Sequence, residues 1–242
     1  MLKRLLIIFG LLTVLMIAAV AYAQDEATPV EYGQLVEGEL TSDATEINYT
    51  IKIDEGDVVV VEMRHAPDSD LYSLAAKVLS PDGRPIADAT EDSNSDVSVV
   101  GFVAEESGEY TVVASRGSYS DSTGPFLLRV IKAEALEDGA EVEGNISNDS
   151  YDQYFTLPNA QDITLSYMQL DGDYSPSLDI LWADEAGVLH LMATAGAIKD
   201  VTMSASFKTD DDALYIAAVT AQSIDYEYED IDSNFQLALT AN

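Results

Sequence analysis

Acidic and amide side chains cluster in the first half of the chain in a pattern that could hold a metal ion. Calcium takes about six to eight oxygen ligands, mostly carboxylates and carbonyls on loops. We therefore expect a calcium site, with calcium as the one candidate cofactor, built from two neighbouring loops. Its ligands would be Asp68, Asp70, Asp88, Asp92 and Asp96, with Asn94 beside them. The alternative is a solvated acidic loop, because the cluster lacks the ordered spacing of an EF-hand.

Two weaker acidic clusters lie in the second half of the chain. One is formed by Asp171 and Asp173, and the other spans residues 226–232. The same two interpretations, a cation site or a solvated loop, apply to each of them.

The residues that would be needed for catalysis do not form a recognisable set. The chain has no cysteine and two histidines, His65 and His190, which do not occupy matching places in its two halves. It contains no Gly-x-Ser-x-Gly elbow, no His-Glu-x-x-His motif and no phosphate-binding glycine loop. A histidine within a strand usually faces outward or is hydrogen-bonded. The sequence therefore does not predict an enzyme.

Exposed aromatic residues offer a second kind of binding surface. Tyr119, Tyr226 and Tyr228 lie in polar loops near aspartates, where a tyrosine ring could stack on a sugar. The alternative is that these rings pack on their own loops. Trp182 ends an apolar strand and is expected to lie in the core.

The N-terminus has the three parts of a secretory signal peptide. Lys3 and Arg4 precede an apolar run over residues 5–20, and Ala21 and Ala23 occupy the positions that a signal peptidase reads. We expect cleavage after Ala23, which makes the protein secreted, extracellular or part of the cell envelope. A retained membrane anchor is the alternative, although the run is short for a span.

The chain is strongly acidic, with 44 Asp and Glu against 11 Lys and Arg and a formal net charge of −33. This charge repels nucleic acid and anionic membrane surfaces, so neither is an expected partner. No stable membrane insertion is expected once the signal peptide is removed. The charge attracts cations and basic partners, or it serves solubility alone.

Five segments recur in order at offsets of 104 to 109 residues, which indicates an internal duplication. The recurring pairs are Val36–Leu40 with Val142–Ile146, Tyr49 with Tyr154, Gly83 with Gly187, Tyr110–Ala114 with Tyr215–Val219, and Phe126–Val130 with Phe235–Leu239. The expected organisation is a signal peptide at 1–23, a first domain at 24–132 and a second domain at 133–242.

Each repeat consists of short segments that read as β-strands. Ile47, Tyr49, Ile51 and Ile53 alternate with polar residues, and Ser80-Pro81-Asp82-Gly83 has the composition of a tight turn. Outside the signal peptide we find no helical periodicity. The predicted fold class is all-β, with two tandem β-sandwich domains of jelly-roll-like type after the signal peptide.

The first repeat resembles the bacterial pre-peptidase C-terminal domain family. The resemblance covers about residues 32–131 and rests on Asp68-Ser69-Asp70-Leu71-Tyr72, the Pro81-Asp82-Gly83 turn, and Glu106-Ser107-Gly108-Glu109-Tyr110. The second repeat is a divergent copy, because Ala213-Leu214-Tyr215 lacks the turn glycine. The resemblance implies a small β-sandwich with an accessory or binding role, and calcium in some members.

The expected function is that of a secreted, non-enzymatic binding or structural module, stabilised by calcium and acting outside the membrane. Its partner would be an extracellular polymer or protein. Two alternatives stay open, which are a carbohydrate-binding envelope protein and an accessory partner of a separate secreted peptidase.

Overall fold

The computed structural model describes residues 27–67, 69–89, 97–118, 120–147, 150–159, 161–172, 174–196, 198–221 and 231–241. Within these ranges the chain forms eighteen β-strands and no helix. The prediction of an all-β fold with two tandem sandwiches is confirmed. The predicted signal peptide lies outside the described residues. None of the described segments is a helix long and apolar enough to span a membrane.

The first sandwich contains nine strands in two sheets. Sheet A has the order β1-β3-β8-β5-β6 and sheet B the order β2-β9-β4-β7. The strands are β1 (Thr28–Pro29), β2 (Val36–Leu40), β3 (Glu46–Ile53), β4 (Val58–His65), β5 (Leu74–Leu79), β6 (Pro85–Asp88), β7 (Val97–Val103), β8 (Gly108–Arg116) and β9 (Gly124–Lys132).

The second sandwich repeats this topology strand for strand. Sheet C has the order β10-β12-β17-β14-β15 and sheet D the order β11-β18-β13-β16. The strands are β10 (Glu134–Ala135), β11 (Glu141–Ser147), β12 (Asp152–Thr156), β13 (Asp162–Gly172), β14 (Ser177–Ala183), β15 (Leu189–Gly196), β16 (Met203–Lys208), β17 (Tyr215–Thr220) and β18 (Asp232–Ala241).

A glycine–phenylalanine pair marks the same position in both sandwiches. Gly38 on β2 lies opposite Phe126 on β9, and Gly144 on β11 lies opposite Phe235 on β18. A Cβ atom at either glycine would lie 2.3 or 2.4 Å from the ring of the facing phenylalanine. Only glycine leaves room for the ring here, which explains why the Val-Glu-Gly segment recurs in the sequence.

The tyrosine match between the repeats is wrong by one residue. Tyr49 packs in the first core, and the strand registers place Phe155, not Tyr154, at the equivalent position of the second. Successive side chains of a strand point to opposite faces, so Tyr154 faces away from the second core. It lies instead in the contact between the two sandwiches.

The two sandwiches pack through the outer faces of sheets B and C. Val59, Val61 and Met63 of β4 point into the first core, so Val60 between them points outward. Val60 packs with Ala133, Tyr154, Ile216 and Ala218 in a separate buried apolar cluster. The four sheets therefore form one stack in the order A, B, C, D.

The turn between β14 and β15 also joins the two sandwiches. The backbone N–H of Asp88 donates to the carbonyl oxygen of Ala186 at 2.8 Å. The backbone N–H of Gly101 donates to the carbonyl oxygen of Gly187, also at 2.8 Å. Val188, which follows this turn, packs in the core of the first sandwich. The second sandwich thus completes the first core along the side between β6 and β7.

The outer face of sheet D is polar where that of sheet B is apolar. Cross-strand hydroxyl pairs join Thr164 to Ser206 at 2.8 Å and Ser166 to Ser204 at 3.1 Å. Such a face does not offer the apolar surface that joins sheet B to sheet C, so the stack ends at sheet D.

Candidate functional site

Four charged side chains and a tyrosine form a buried ion cluster between the sandwiches. Arg64 on β4 and Arg129 on β9 both donate to Asp152 Oδ2 on β12, at 2.8 and 3.1 Å. Glu62 contacts both guanidinium groups, with 3.6 Å between its Oε2 and Arg129 Nη2. The Tyr154 hydroxyl donates to Glu62 Oε2 at 3.2 Å. The cluster therefore joins β4 and β9 of the first sandwich to β12 of the second.

The ring of Tyr151 covers this cluster from one side. The guanidinium carbons of Arg64 and Arg129 lie 5.8 and 6.0 Å from its centroid, which is cation–π distance. One residue of the second sandwich thus contacts both arginines of the first.

Because the ion cluster is buried, it strongly restricts the relative movement of the two sandwiches. Glu62, Arg129 and Asp152 are each 5% exposed or less. A buried charge is costly unless its partners are well placed, so any movement that separates these groups is opposed. Burial acts to raise the pKa of the Asp152 carboxyl, and the two guanidinium groups act against it. Burial raises the pKa of Tyr154, so the phenol stays neutral and remains a donor to Glu62.

A cleft of about 340 Å³ opens beside the ion cluster. We call it the interdomain cleft, because its lining comes from β4 and β7 of the first sandwich and from β12, β14 and β17 of the second. Its apolar lining includes Val97, Val99, Leu181 and Ala218, and its polar lining includes Glu62, Arg64, His65, Asp152 and Asp179. A volume of this order suits a small ligand or a single side chain of a partner.

Asp179 on β14 is the carboxylate of the cleft that lies outside the ion cluster. The Thr194 hydroxyl donates to its Oδ1 at 2.5 Å, and no ion pair joins it to any of the described residues. Burial raises the pKa of Asp179, and the hydrogen bond from Thr194 opposes that change. In the first sandwich the equivalent position is occupied by Lys77, whose Nζ lies 3.3 Å from Asp88 Oδ2.

A second cleft, of about 490 Å³, lies at the opposite ends of β7 and β14. It borders the turn between β14 and β15, residues 184–188, which we call the docking turn and which is organised by Asp184. Its Oδ1 accepts the N–H groups of Ala186 and Val188, both at 2.9 Å, and its Oδ2 lies 2.8 Å from His190 Nε2. Desolvation acts to raise the pKa of Asp184, but the hydrogen bonds from His190 and the turn prevail and lower it.

Trp182 does not lie in the core, so that prediction is wrong. Its side chain is 38% exposed and its ring lies 5.1 Å from that of His190. β14 extends past the end of the second core, which leaves its last side chains near solvent. Leu191 and Met192 on the edge strand β15 are exposed as well.

No protein-family model matches this chain, and no curated protein matches it either. Similar solved structures include the pre-peptidase C-terminal domain of a Bacillus anthracis collagenase, at 15% identity and a TM-score of 0.36. That match covers 43% of this chain and 94% of the domain.

Two longer matches are tandem assemblies. One is a CBM22-1–CBM22-2 tandem domain from Paenibacillus barcinonensis, at 13% identity and a TM-score of 0.27. The match covers 87% of this chain and 92% of the tandem domain. The other is the CUB1-EGF-CUB2 domain of human MASP-1/3, at 10% identity and a TM-score of 0.23, and that match covers 86% of this chain and 99% of the CUB1-EGF-CUB2 chain. At this level of similarity the matches say nothing about function.

The predicted calcium ligands are only partly within the described residues. Asp68, Asp92 and Asp96 lie outside them, while Asp70 is exposed between β4 and β5 and Asp88 pairs with Lys77. Among the described residues no group of three or more acidic or histidine side chains could hold a metal ion. Two carboxylates supply too few ligands for calcium, so the site stays a prediction.

The ion cluster was not predicted from the sequence. One signal was present, because Glu62 and Arg64 interrupt the densely apolar β4 and Arg129 interrupts the apolar β9. Charged residues within a strand that is buried on both faces require partners of opposite charge. The partner Asp152 comes from the other repeat, and nothing in its local sequence indicates the pairing. Tyr119, Tyr226 and Tyr228 lie outside the described residues.

Proposed function

We propose that this chain is a non-enzymatic binding module that acts outside the membrane. In this proposal its two sandwiches work as one rigid unit, and the ligand is an extracellular polymer or protein that places a small group in the interdomain cleft. The signal-peptide pattern of the N-terminus supports the location, and the arrangement of the cleft supports the binding role.

The buried ion cluster is the observation that supports this function most. It belongs to both sandwiches and lies against the cleft, so it holds the two walls at a fixed separation. A site whose walls are already in place loses less conformational entropy when a ligand binds. A hinge between independent domains would not provide this advantage.

The chemistry of the cleft suits recognition more than catalysis. Apolar side chains form much of the wall and a few polar groups lie among them, as in many ligand sites. Glu62, Arg64 and Asp152 are already engaged with one another in the ion cluster. Groups held in this way position a ligand but are poorly available as a nucleophile or a general base.

Two valine variants at the ends of β7 test the proposal. Val97 lines the interdomain cleft and Val103 lines the second cleft, and both side chains are exposed. Val97→Trp fills the interdomain cleft, and Val103→Trp is its matched control. The purified chain and both variants would be applied to arrays of extracellular glycans and of extended peptides.

We expect a class of array ligand that binds the unmodified chain and Val103→Trp but not Val97→Trp. Glycan hits would favour the carbohydrate-binding alternative, and peptide hits would favour a protein partner. Equal binding by Val97→Trp and the unmodified chain, or the absence of any hit, would overturn the assignment of the ligand to this cleft.

A further inference from the structure

The charges that line the interdomain cleft do not balance. Its lining holds the three carboxylates of Glu62, Asp152 and Asp179, together with Arg64 and His65, and Arg129 opposes Glu62 and Asp152 from behind the lining. Both arginines pair with Asp152 and Glu62, which leaves Asp179 with hydroxyl partners among the described residues. A carboxylate that is half-buried without a cation loses hydration and gains no ion pair in return.

The equivalent position in the first sandwich shows which kind of group can pair with a carboxylate here. In the first sandwich Lys77 and Asp88 form an ion pair between β5 and β6. In the second, the lysine is replaced by Asp179 and the aspartate by Thr194, which occupy the same paired positions on β14 and β15. The repeat that forms one wall of the cleft thus has an acid at the lysine's position and no cation opposite it.

We propose that the interdomain cleft binds a single cationic group on an apolar stem, with Asp179 as its counter-ion. An ammonium or guanidinium group on an aliphatic chain has this chemistry, as in a lysine or arginine side chain of a partner protein. The inference rests on the proposed function, because it names the ligand class of the same site.

The apolar lining matches the stem of such a group. Val97, Val99 and Leu181 provide aliphatic surface next to the carboxylates. Lysine and arginine bury their methylene stems along apolar surface and keep the charged head near polar groups. The net charge of −33 also favours the approach of a cation from solution.

The test compares a cationic probe with a neutral one of similar shape. Nα-acetyl-lysine methylamide, Nα-acetyl-arginine methylamide and Nα-acetyl-norleucine methylamide would be titrated into the purified chain, with binding measured by calorimetry. The Asp179 carboxyl carbon would be followed by NMR. Asp179→Asn removes the charge with little change of shape, and Glu46→Gln, on the exposed outer face of sheet A, controls for the change in net charge.

We expect a cationic probe to bind at least about tenfold more tightly than norleucine methylamide, a difference of about 1.4 kcal/mol. The Asp179 carboxyl signal should shift with the same midpoint. Asp179→Asn should abolish the preference and Glu46→Gln should retain it. Thermal unfolding would confirm that both variants are folded.

Equal binding of all three probes, a preference that survives in Asp179→Asn, or no binding of any probe would overturn the inference. The failure of the proposed function has a different signature. If Val97→Trp abolishes array binding while no cation preference exists, the cleft binds a ligand of another class. If Val97→Trp changes nothing on the arrays, the proposed function itself is wrong.

Discussion

Arg129 donates a hydrogen bond to Asp152 at 3.1 Å across the contact between the two sandwiches. Both residues are almost fully buried, and Asp152 also accepts from Arg64 at 2.8 Å. An acidic chain with few cations thus uses two of its arginines to hold one aspartate of the neighbouring repeat. This arrangement makes the two sandwiches dependent on each other.

Removal of one of these arginines should destabilise the protein strongly. Arg129→Met keeps the aliphatic stem but leaves Asp152 and Glu62 with one guanidinium between them. We expect a loss of about 3–5 kcal/mol in the free energy of unfolding, measured by urea denaturation.

Arg84→Met is the matched control, because Arg84 pairs with Glu105 at 3.0 Å on the exposed surface. Its loss should be much smaller than that of Arg129→Met, because solvent screens an exposed ion pair. Similar losses for the two variants would contradict the role assigned to the ion cluster.

An added methyl group should destabilise the docking turn more than the turn between β5 and β6, which is its counterpart in the first sandwich. Gly187 and Gly83 both have positive φ, at 73° and 83°. A Cβ at Gly83 meets nothing within 4 Å, whereas a Cβ at Gly187 would lie 2.9 Å from the Cβ of Ala87 in the first sandwich.

Both alanine variants lose about 1–2 kcal/mol to backbone strain. Gly187→Ala should lose about 1 kcal/mol more, because the two sandwiches must move apart to accept the methyl group. Chemical denaturation of the two variants side by side measures this difference. If they are equally stable, the turn does not pack against the first sandwich as described.

Acid should weaken the docking turn through Asp184. Its pKa is lowered in the folded state, because the hydrogen bonds from His190 and from the turn outweigh desolvation. A carboxyl with a lowered pKa stabilises the fold at pH values above its unfolded pKa of about 3.9, and this contribution is lost as the pH falls through the folded pKa.

The stability difference between the unmodified chain and Asp184→Asn should therefore be largest near neutral pH and should shrink below about pH 4. The experiment is urea denaturation of both proteins across that pH range. A difference that stays constant down to the lowest pH would show that the ionised carboxylate is not what holds the turn.

The strands could be predicted from the sequence because the alternation of apolar and polar residues follows the alternation of buried and exposed side chains. Over β3 the apolar positions from Tyr49 to Ile53 are buried and the intervening residues are more exposed. The repeat was visible for a related reason, since the glycines that face Phe126 and Phe235 cannot be replaced without a clash. Both signals arise within a single repeat, so two copies of the repeat can be compared in the sequence.

The contact between the repeats could not be predicted in the same way. A shift of one residue reverses the face of a strand, so the match of Tyr154 with Tyr49 hides that Phe155 lies in the second core and Tyr154 between the sandwiches. Tyr154 meets Glu62 only because the outer face of sheet C covers that of sheet B. Such a pairing depends on how two domains dock, and neither repeat contains that information alone.

The calcium prediction has its own test. If Asp68, Asp70, Asp88, Asp92 and Asp96 bind calcium, millimolar calcium should raise the unfolding temperature relative to excess chelator at constant ionic strength. At a hundredfold excess over Kd the gain is about 2.7 kcal/mol, a rise of several degrees. Asp70→Ala should remove the rise. No rise, or an equal rise with matched sodium chloride, would count against a specific site.

The distance between the two sandwiches in solution tests most directly whether they form one rigid unit. The chain has no cysteine, so spin labels can be attached to Glu109→Cys on sheet A and Thr240→Cys on sheet D, two exposed positions. Double electron–electron resonance would then report the spread of that distance. A rigid unit predicts a single narrow distribution that broadens when Arg129→Met is introduced. A broad or multiple distribution in the otherwise unmodified chain would show that the sandwiches move independently and would contradict a cleft with fixed walls.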